Sequence, residues 1–304
     1  GNTGTLALTG YTFRGWCTTN NNSDPRTCGG TTYAANDTFT INANTNLYAL
    51  WNQNQTISLA DSSTVYGNTI NLTSLLTNNG LGTGTVTYSV TAGSNACSIS
   101  STTLTALIAT GTCTVQASKA ASTGYNSATA SATITLTKRL LTVKAADASK
   151  VSGQSDPAFT SYTITSGTLY SSDTITSVTA ARADAGGNTA GTYTITISAV
   201  NFASNRSDSY TVTTATGTFT VTAATYTVTY NAKNSDNTNT TSGTAPTDSS
   251  SPYTSGATVT VKGNTGTLAL TGYTFRGWCT TNNNSDPRTC GGTTYAANDT
   301  FTIN

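Results

Sequence analysis

Six cysteines are the residues of this chain best suited to covalent chemistry, and they form three pairs that are close in sequence. The pairs are Cys17 with Cys28, Cys97 with Cys113, and Cys279 with Cys290. An even number of cysteines in local pairs predicts three disulfides and an oxidising compartment. Each bridge would close a loop of on the order of 10 to 17 residues, stabilising the fold by about 3 kcal/mol in the chain-entropy model.

Metal binding and catalysis are disfavoured by the residue types present. No C-x-x-C motif occurs, so a zinc site would need cysteines from separate segments to meet. The chain has no histidine, which removes the commonest general base and metal ligand. Calcium could be held by the Asp-containing loops NSDPR or RADAGGN, but no D-x-D-x-D-G loop is present. We therefore expect no enzyme activity, no metal site and no cofactor.

Composition predicts the kind of fold that must position the cysteines. Thr, Ser, Asn and Gly are abundant, whereas Glu and Met are absent, which disfavours helices and favours strands joined by polar turns. Charged residues make up 8% of the chain and the net charge is +1, so we expect no nucleic-acid partner. No apolar run approaches the roughly 20 residues of a membrane span. We predict an all-β protein with no membrane span in this segment.

An exact internal repeat organises the chain. Residues 1–42 recur without a change as residues 263–304, which gives a period of 262 residues. Copies remain identical only after recent duplication or gene conversion, so we expect a parent protein with many such units. Residues 43–51, ANTNLYALW, follow the first copy and would complete the second. One unit would then hold three modules of about 85 to 90 residues.

Two arrangements of these units remain open. Successive units could be continuous along one polypeptide, or separate chains could complete each other's half-modules by strand addition. The duplication favours the first arrangement, because a chain with its own complement at residues 263–304 would compete with its neighbour for the same strands.

The two ends of the chain share the pattern of one module type. TYTVTY at 225–230 alternates apolar and polar residues as a strand does, and GYTFRGWC at 272–279 and NLYALW at 46–51 follow in order. These residues resemble the Listeria-Bacteroides repeat, or internalin-type B-repeat, a small β-grasp-like module of surface proteins. The resemblance implies such a module at 224–304, truncated at its last strand, and its C-terminal part at 1–52. The inserted CTTNNNSDPRTC departs from the pattern.

Residues 53–137 have the strand spacing of a β-sandwich. The predicted strands are TISLA, NTINLTSL, GTVTYSV, TLTAL, GTCTVQAS and ATASATITLT. The run from NACSIS to GTCTVQASKAASTGYNSATA resembles bacterial immunoglobulin-like (Ig-like) domains of surface proteins. That resemblance implies an Ig-like β-sandwich over these residues.

Residues 138–223 begin with LLTVKAADASKVSGQSDP and contain GTYTI. Both stretches resemble the MBG family of all-β modules in bacterial surface proteins, which implies an MBG-like domain here. The segment RADAGGNTAG at 182–191 is an Asp/Gly/Asn turn region without a detailed match.

The junctions between these segments are short, which predicts a rod of tandem small β modules. TLTKRLLTV crosses from one module to the next without a Gly, Ser or Pro run. A unit would then measure roughly 90 to 130 Å at about 3.3 Å per residue of strand. We expect a structural repeat of an extracellular, cell-surface or secreted bacterial fibre or adhesin stalk. Its partners would be further copies in series and, through exposed strand edges, lateral copies in a filament.

Two sharper hypotheses compete with this structural interpretation. Trp16, Trp51 and Trp278 could stack on sugars, making the chain a carbohydrate- or host-ligand-binding adhesin module with surface glycans as partners. Such residues are more often part of a core. In addition, Lys144 or Lys150 beside Asp147 or Asp156 could support a Lys-to-Asn isopeptide crosslink, although no motif specifies one.

Overall fold

The regular secondary structure is almost entirely β-strand, which confirms the predicted all-β class of small modules. The computed structural model describes residues 1–184 and 186–304, with the backbone but not the side chain of Asn205. Within these residues, no helical segment has the length and apolar character needed to span a bilayer. Residue contacts divide the chain into two compact units. Unit 1 comprises Gly1–Lys144, Tyr162–Val178 and Ala199–Ala215, and unit 2 comprises Ala145–Ser161, Thr179–Ser198 and Thr216–Asn304.

Unit 1 begins with a small antiparallel sheet, called the first sheet below. Its strands are β1 (Tyr11–Cys17), β2 (Thr32–Tyr33) and β3 (Tyr48–Gln53). β1 lies between the other two strands. Phe13 packs edge to face on Trp16 and Trp51, with ring centroids 5.2 and 5.7 Å apart. A Cβ atom on Gly15 would collide with the carbonyl oxygen of Tyr33, so glycine permits this close approach of the strands.

The next part of unit 1 is a β-sandwich. Its elements are β4 (Ser58–Leu59), β5 (Ser62–Val65), β6 (Thr69–Asn71), the 3₁₀ turn η1 (Leu72–Leu75), β7 (Leu76–Asn78), β8 (Val86–Ala92), β9 (Cys97–Ser100), β10 (Thr103–Ala106), β11 (Gly111–Lys119) and β12 (Ala128–Thr137). The main sheets have the orders β6-β10-β9 and β5-β12-β11-β8, and β4 pairs with β7. Leu104 from one sheet and Val115 and Ile134 from the other are fully buried in one core.

The predicted strand NTINLTSL is divided in the structure. β6 ends at Asn71, whose side-chain oxygen accepts a hydrogen bond from the backbone N–H of Thr73 at 3.1 Å. This bond caps η1, so the second half of the predicted strand turns instead of remaining extended.

Residues 138–223 contribute strands to both units. The elements are β13 (Arg139–Ala145), β14 (Ala148–Val151), β15 (Tyr162–Ser166), β16 (Ile175–Arg182), β17 (Gly191–Phe202), the 3₁₀ segment η2 (Ala203–Ser209), β18 (Tyr210–Ala215) and β19 (Gly217–Thr222). One sheet has the order β15-β13-β18, with β13 parallel to β18. The other has the order β14-β19-β17-β16, with β14 parallel to β19. The predicted turn at 182–191 falls between β16 and β17, and its Ala185 lies outside the described residues.

Unit 2 ends in short strand pairs. These strands are β20 (Thr225–Tyr226), β21 (Tyr253–Thr254), β22 (Thr258–Thr260), β23 (Trp278–Cys279), β24 (Thr294–Tyr295) and β25 (Thr300–Thr302). They pair as β20-β21, β22-β25 and β23-β24. The prediction of a full strand at 225–230 is wrong beyond Tyr226, since only Thr225 and Tyr226 have a strand partner, in β21.

The duplicated segment folds differently in its two copies. β1 is seven residues long, whereas the identical sequence at 273–279 forms only the two-residue β23. The difference follows from pairing, because β1 is bonded along its length to β3, and an extended strand needs partners for its backbone groups. Conversely, β25 pairs with β22, whereas the matching residues 38–40 form no strand.

Candidate functional site: disulfides, junctions and an aromatic groove

The three predicted cysteine pairs all lie at disulfide-bonding distance. The Cα atoms are 5.6 Å apart in Cys17–Cys28 and in Cys279–Cys290, and 6.4 Å apart in Cys97–Cys113. No cysteine in residues 1–184 and 186–304 is left without a bond. Cys97 lies in β9 and Cys113 in β11, so their bridge joins the two main sheets of the sandwich inside its core.

The junction between the first sheet and the sandwich is built around Arg26. Its guanidinium lies over the ring of Tyr125, 4.6 Å from the centroid, and donates hydrogen bonds to the Tyr125 hydroxyl and to Gln53 Oε1. Asp24 orients it through an oxygen 2.7 Å away. Hydrogen bonds from Arg26 lower the pKa of the Asp24 carboxyl. The backbone N–H of Gln53 also donates to the carbonyl of Gly124 at 2.8 Å.

A second junction lies where the sandwich meets the part of residues 138–223 that belongs to unit 1. We call it the Tyr66 cluster, which consists of Tyr66, Tyr170, Asp173, Arg206 and Tyr210. The hydroxyls of Tyr66 and Tyr210 donate to Asp173 Oδ2 at 3.0 and 2.6 Å. Arg206 Nε lies 3.5 Å from Asp173 Oδ1, and the Tyr66 ring contacts those of Tyr170 and Tyr210 edge to face.

The electrostatics of the Tyr66 cluster favour neutral tyrosines. Burial, and then the hydrogen bond to Asp173, raise the pKa of Tyr210 to about 12. The same two causes raise the pKa of Tyr66. Next to the cluster, Gly67 has φ of +77°, and a Cβ there would run into the ring of Tyr170. Glycine therefore permits both the turn and the close ring contact.

The chain between these segments is also fixed by side chains. Arg139, which is separated from the last sandwich strand by one residue, donates to the carbonyl of Tyr66 at 3.2 Å and to Asn68 Oδ1 at 2.8 Å. Its guanidinium also donates to the Thr168 hydroxyl at 3.0 Å. Backbone and side chain thus both connect the sandwich to the strands that follow.

A short pattern with the same structural role occurs twice. The two eight-residue segments are A-D-S-S-T-V-Y-G at 60–67 and A-D-A-S-K-V-S-G at 146–153. Each contains a strand that pairs in parallel with a later strand: β5 with β12 in the first segment, and β14 with β19 in the second. In the first, Asp61 accepts from the backbone N–H of Thr133 at 2.6 Å. In the second, Asp147 accepts from Thr218 at 2.8 Å. The sequence analysis did not predict this shared role, although the similarity of the two eight-residue segments is visible in the sequence.

Unit 2 contains an ion-pair network in which the two cations are buried and the carboxylate is partly exposed. Asp156 lies 2.7 Å from both Lys150 Nζ and Arg182 Nε, and hydrogen bonds from Arg182 and then Lys150 lower the pKa of its carboxyl. Lys150 also donates to Asn188 Oδ1 at 2.8 Å. Arg182 lies over the ring of Phe219, 4.9 Å from its centroid. Of the Lys and Asp residues considered for a crosslink, the structure thus brings Lys150 and Asp156 together.

An aromatic groove opens in the last segment of unit 2, with a cavity of about 550 Å³. Its walls include Tyr230, Tyr273, Phe275 and Trp278. Tyr273 is 51% exposed and Phe275 is 39% exposed.

The three tryptophans do not form an exposed platform. Trp51 is buried, and Trp16 is half-buried against Phe13. Trp278 is half-buried, and its indole N–H donates to the carbonyl of Lys262 at 2.7 Å. Their surroundings match those of core residues more closely than those of a sugar-binding surface.

Comparison with known families identifies one domain. Residues 141–220 match the model of the MBG domain (YGX type), so the MBG part of the sequence interpretation is confirmed. No curated protein matches the chain. The β-sandwich and its disulfide fit the Ig-like interpretation of residues 53–137, and the three bonded cysteine pairs fit the predicted disulfides. The module boundaries remain predictions.

Proposed function

We propose that this chain is a structural repeat unit of an extracellular bacterial fibre or adhesin stalk, and that it is not an enzyme. The Tyr66 cluster carries the proposal, because it locks a junction that would otherwise depend on one residue of chain between Thr137 and Arg139. Modules joined this way transmit orientation from one to the next instead of hinging freely. Length and stiffness would then be the product of the fold.

Three further observations support the extracellular location and the tandem order. Each of the three cysteine pairs is bonded, and disulfides persist in oxidising compartments. The domain matched at 141–220 resembles modules of bacterial surface proteins. The exact repeat with a 262-residue period gives a source of further copies in series.

Electron microscopy of concatenated units tests the proposal. A chain of five units should appear as a stiff filament with a regular axial repeat. Inserting a flexible Gly-Ser linker between Thr137 and Arg139 should sharply shorten its persistence length. The same linker between the exposed Ser94 and Asn95 is the control and should leave stiffness unchanged. A compact, coiled parent chain, or equal stiffness in both variants, would contradict the proposal.

A glycan array separates the stalk from the carbohydrate-binding alternative. Because the tryptophans are engaged in core-like contacts, we expect no sharp glycan binding. Selective binding that Trp278→Ala abolishes would favour the adhesin module instead.

A further inference from the structure

The loop between Cys17 and Cys28 carries contacts that join the first sheet to the sandwich. Arg26, two residues before Cys28, lies over the ring of Tyr125 and donates a hydrogen bond to its hydroxyl. The neighbouring carbonyl of Pro25 accepts a backbone N–H of β3 at 3.0 Å. The loop has no strand of its own, so the disulfide is the covalent constraint that keeps it closed.

The two sulfurs of this bridge differ in accessibility. Cys17 is 3% exposed, whereas Cys28 is only half-buried. By contrast, Cys97 and Cys113 in the sandwich are each 1% exposed. A thiolate must reach a disulfide sulfur in order to attack it. A reductant can therefore attack the first bridge at Cys28, while the sandwich bridge is shielded.

Partial exposure of the second cysteine occurs in both copies of the duplicated segment. Cys290 is also half-buried, although residues 224–262 precede its copy and Ser235 accepts a backbone hydrogen bond from Asn283 of its disulfide loop at 2.6 Å. The first copy has a different neighbour, the strand β3. The exposure is therefore a property of the loop and does not depend on which segment adjoins it.

We propose that Cys28 Sγ is a site of thiol–disulfide exchange with dithiol reductants, and that this exchange opens the junction between the first sheet and the sandwich. The reductant's thiolate forms a bond to Cys28 Sγ while the Cys17–Cys28 bond breaks, and Cys17 leaves with the electron pair and takes up a proton. The reductant's second thiolate then displaces Cys28, which also takes up a proton. The products are two protein thiols and a cyclic disulfide of the reductant.

The surroundings of both sulfurs suit the reduced form. The carbonyl of Thr19 lies 2.9 Å from Cys17 Sγ, where it can accept the S–H of the Cys17 thiol. The N–H of Gly30 lies 3.4 Å from Cys28 Sγ, where it can donate to the sulfur that is displaced last. Each sulfur thus keeps a polar partner when the S–S bond breaks.

Opening the bridge would free Arg26 to leave Tyr125. Hydrogen bonds also close the base of the loop, such as the one from the N–H of Thr18 to the carbonyl of Thr31 at 3.0 Å. Water can replace these bonds, whereas the bridge limits extension of the loop covalently. In the stalk, a fixed joint would become a flexible one; this consequence rests on the proposed function, but the exchange site does not.

Reduction of a chain that carries Cys279→Ala and Cys290→Ala tests the exchange site, because these substitutions remove the bridge of the second copy. The chain is treated with dithiothreitol without denaturant, and the free thiols are alkylated with iodoacetamide and located by mass spectrometry. Cys17 and Cys28 should be alkylated at least about tenfold faster than the sandwich pair. Equal rates, or faster alkylation of the sandwich pair, would overturn the exchange site.

Hydrogen exchange of the Gln53 amide measures the junction, since this N–H donates to the carbonyl of Gly124 at 2.8 Å. Reduction should accelerate its exchange at least about tenfold, while amides of β1 and β11, which are paired within their own sheets, should be unchanged. Arg26→Ala in the oxidised chain should accelerate exchange at Gln53 in the same way. The Cys17→Ala and Cys28→Ala pair should show fast exchange that dithiothreitol no longer alters.

Unchanged exchange at Gln53 after reduction would contradict the link between the bridge and the junction. Equal acceleration along β1 would contradict it as well, because the whole first sheet would then be unfolding. Either failure would leave the proposed stalk function standing, because stiffness there is measured at the Thr137–Arg139 junction.

Discussion

The hydroxyl of Tyr66 and the carboxylate of Asp173 lie 3.0 Å apart, so one hydrogen bond joins residues separated by 107 positions. Asp173 accepts a second bond from Tyr210 and faces Arg206. One carboxylate therefore satisfies groups from the sandwich and from two later parts of unit 1. A stalk of the proposed kind would need such contacts at its junctions, where a hinge would otherwise form.

Asp173→Ala should weaken this junction strongly. The substitution leaves two buried tyrosine hydroxyls without their acceptor, and we expect a loss of about 1 to 3 kcal/mol in the free energy of unfolding. Urea denaturation followed by circular dichroism measures it. Asp208→Ala, at an exposed site close by, is the matched control and should cost little. Equal effects of the two substitutions would show that the cluster is not stabilising.

Alkaline pH should open the same junction. The pKa of Tyr210 is raised to about 12, from about 10 in an unfolded chain. The neutral phenol is thus favoured by folding, so its contribution is complete below pH 10 and is lost as the pH rises through 12. Stability measured from pH 9 to pH 12 should fall in this window. Tyr210→Phe should be less stable at pH 9 but should show a shallower decline; an unchanged slope would refute the assignment.

Removing the sandwich disulfide should lower the stability of the fold more than removing the disulfide in the first sheet. Cys97–Cys113 spans 16 positions and lies in the core, whereas Cys17–Cys28 spans 11. Replacing both Cys97 and Cys113 by Ala should cost about 3 kcal/mol or more, because a cavity adds to the lost loop constraint. Hydrogen exchange of β11 measures the change. The Cys17→Ala and Cys28→Ala pair serves as comparison, and a larger loss there would contradict the prediction.

Strands in which apolar and polar residues alternate strictly could be predicted from the sequence alone. GTCTVQAS and ATASATITLT alternate strictly and became β11 and β12, which pair along nine residues. The pairing of the cysteines could also be predicted from the sequence, because two cysteines joined by a short loop can easily reach disulfide geometry. By contrast, the lengths of strands at 225–230 and 272–279 depend on a partner that local pattern does not contain.

The junctions could not be predicted, since they depend on contacts between distant residues. Nothing in the vicinity of Arg26 indicates Tyr125, 99 positions away. Similarly, Asp173 lies in a stretch with no distinctive motif, and only the fold places it beside Tyr66. The two eight-residue segments that contain Asp61 and Asp147 are the exception, because their similarity is visible in the sequence. In both segments the aspartate accepts a hydrogen bond from the backbone N–H of a distant residue.

Lys150 and Asn188 are close enough to raise the question of an isopeptide crosslink, with Lys150 Nζ donating to Asn188 Oδ1 at 2.8 Å. Bond formation would require the deprotonated Lys150 nitrogen to attack the Asn188 amide carbon and release ammonia. The neighbouring acid would have to deliver a proton to the leaving nitrogen. Asp156 is unsuited to this step, because its pairing with Arg182 and Lys150 lowers the pKa of its carboxyl and keeps it ionised.

We therefore expect an intact mass that equals the sequence mass less six hydrogens, the loss from three disulfides. High-resolution mass spectrometry of the unreduced chain decides the matter, with Asn188→Ala as the control. A further loss of one ammonia in the parent chain that disappears in Asn188→Ala would establish the crosslink and refute the argument from Asp156. With no crosslink, Lys150→Met should destabilise the module, because it removes an ammonium from a network in which the Arg182 and Lys150 side chains are only 1% and 4% exposed.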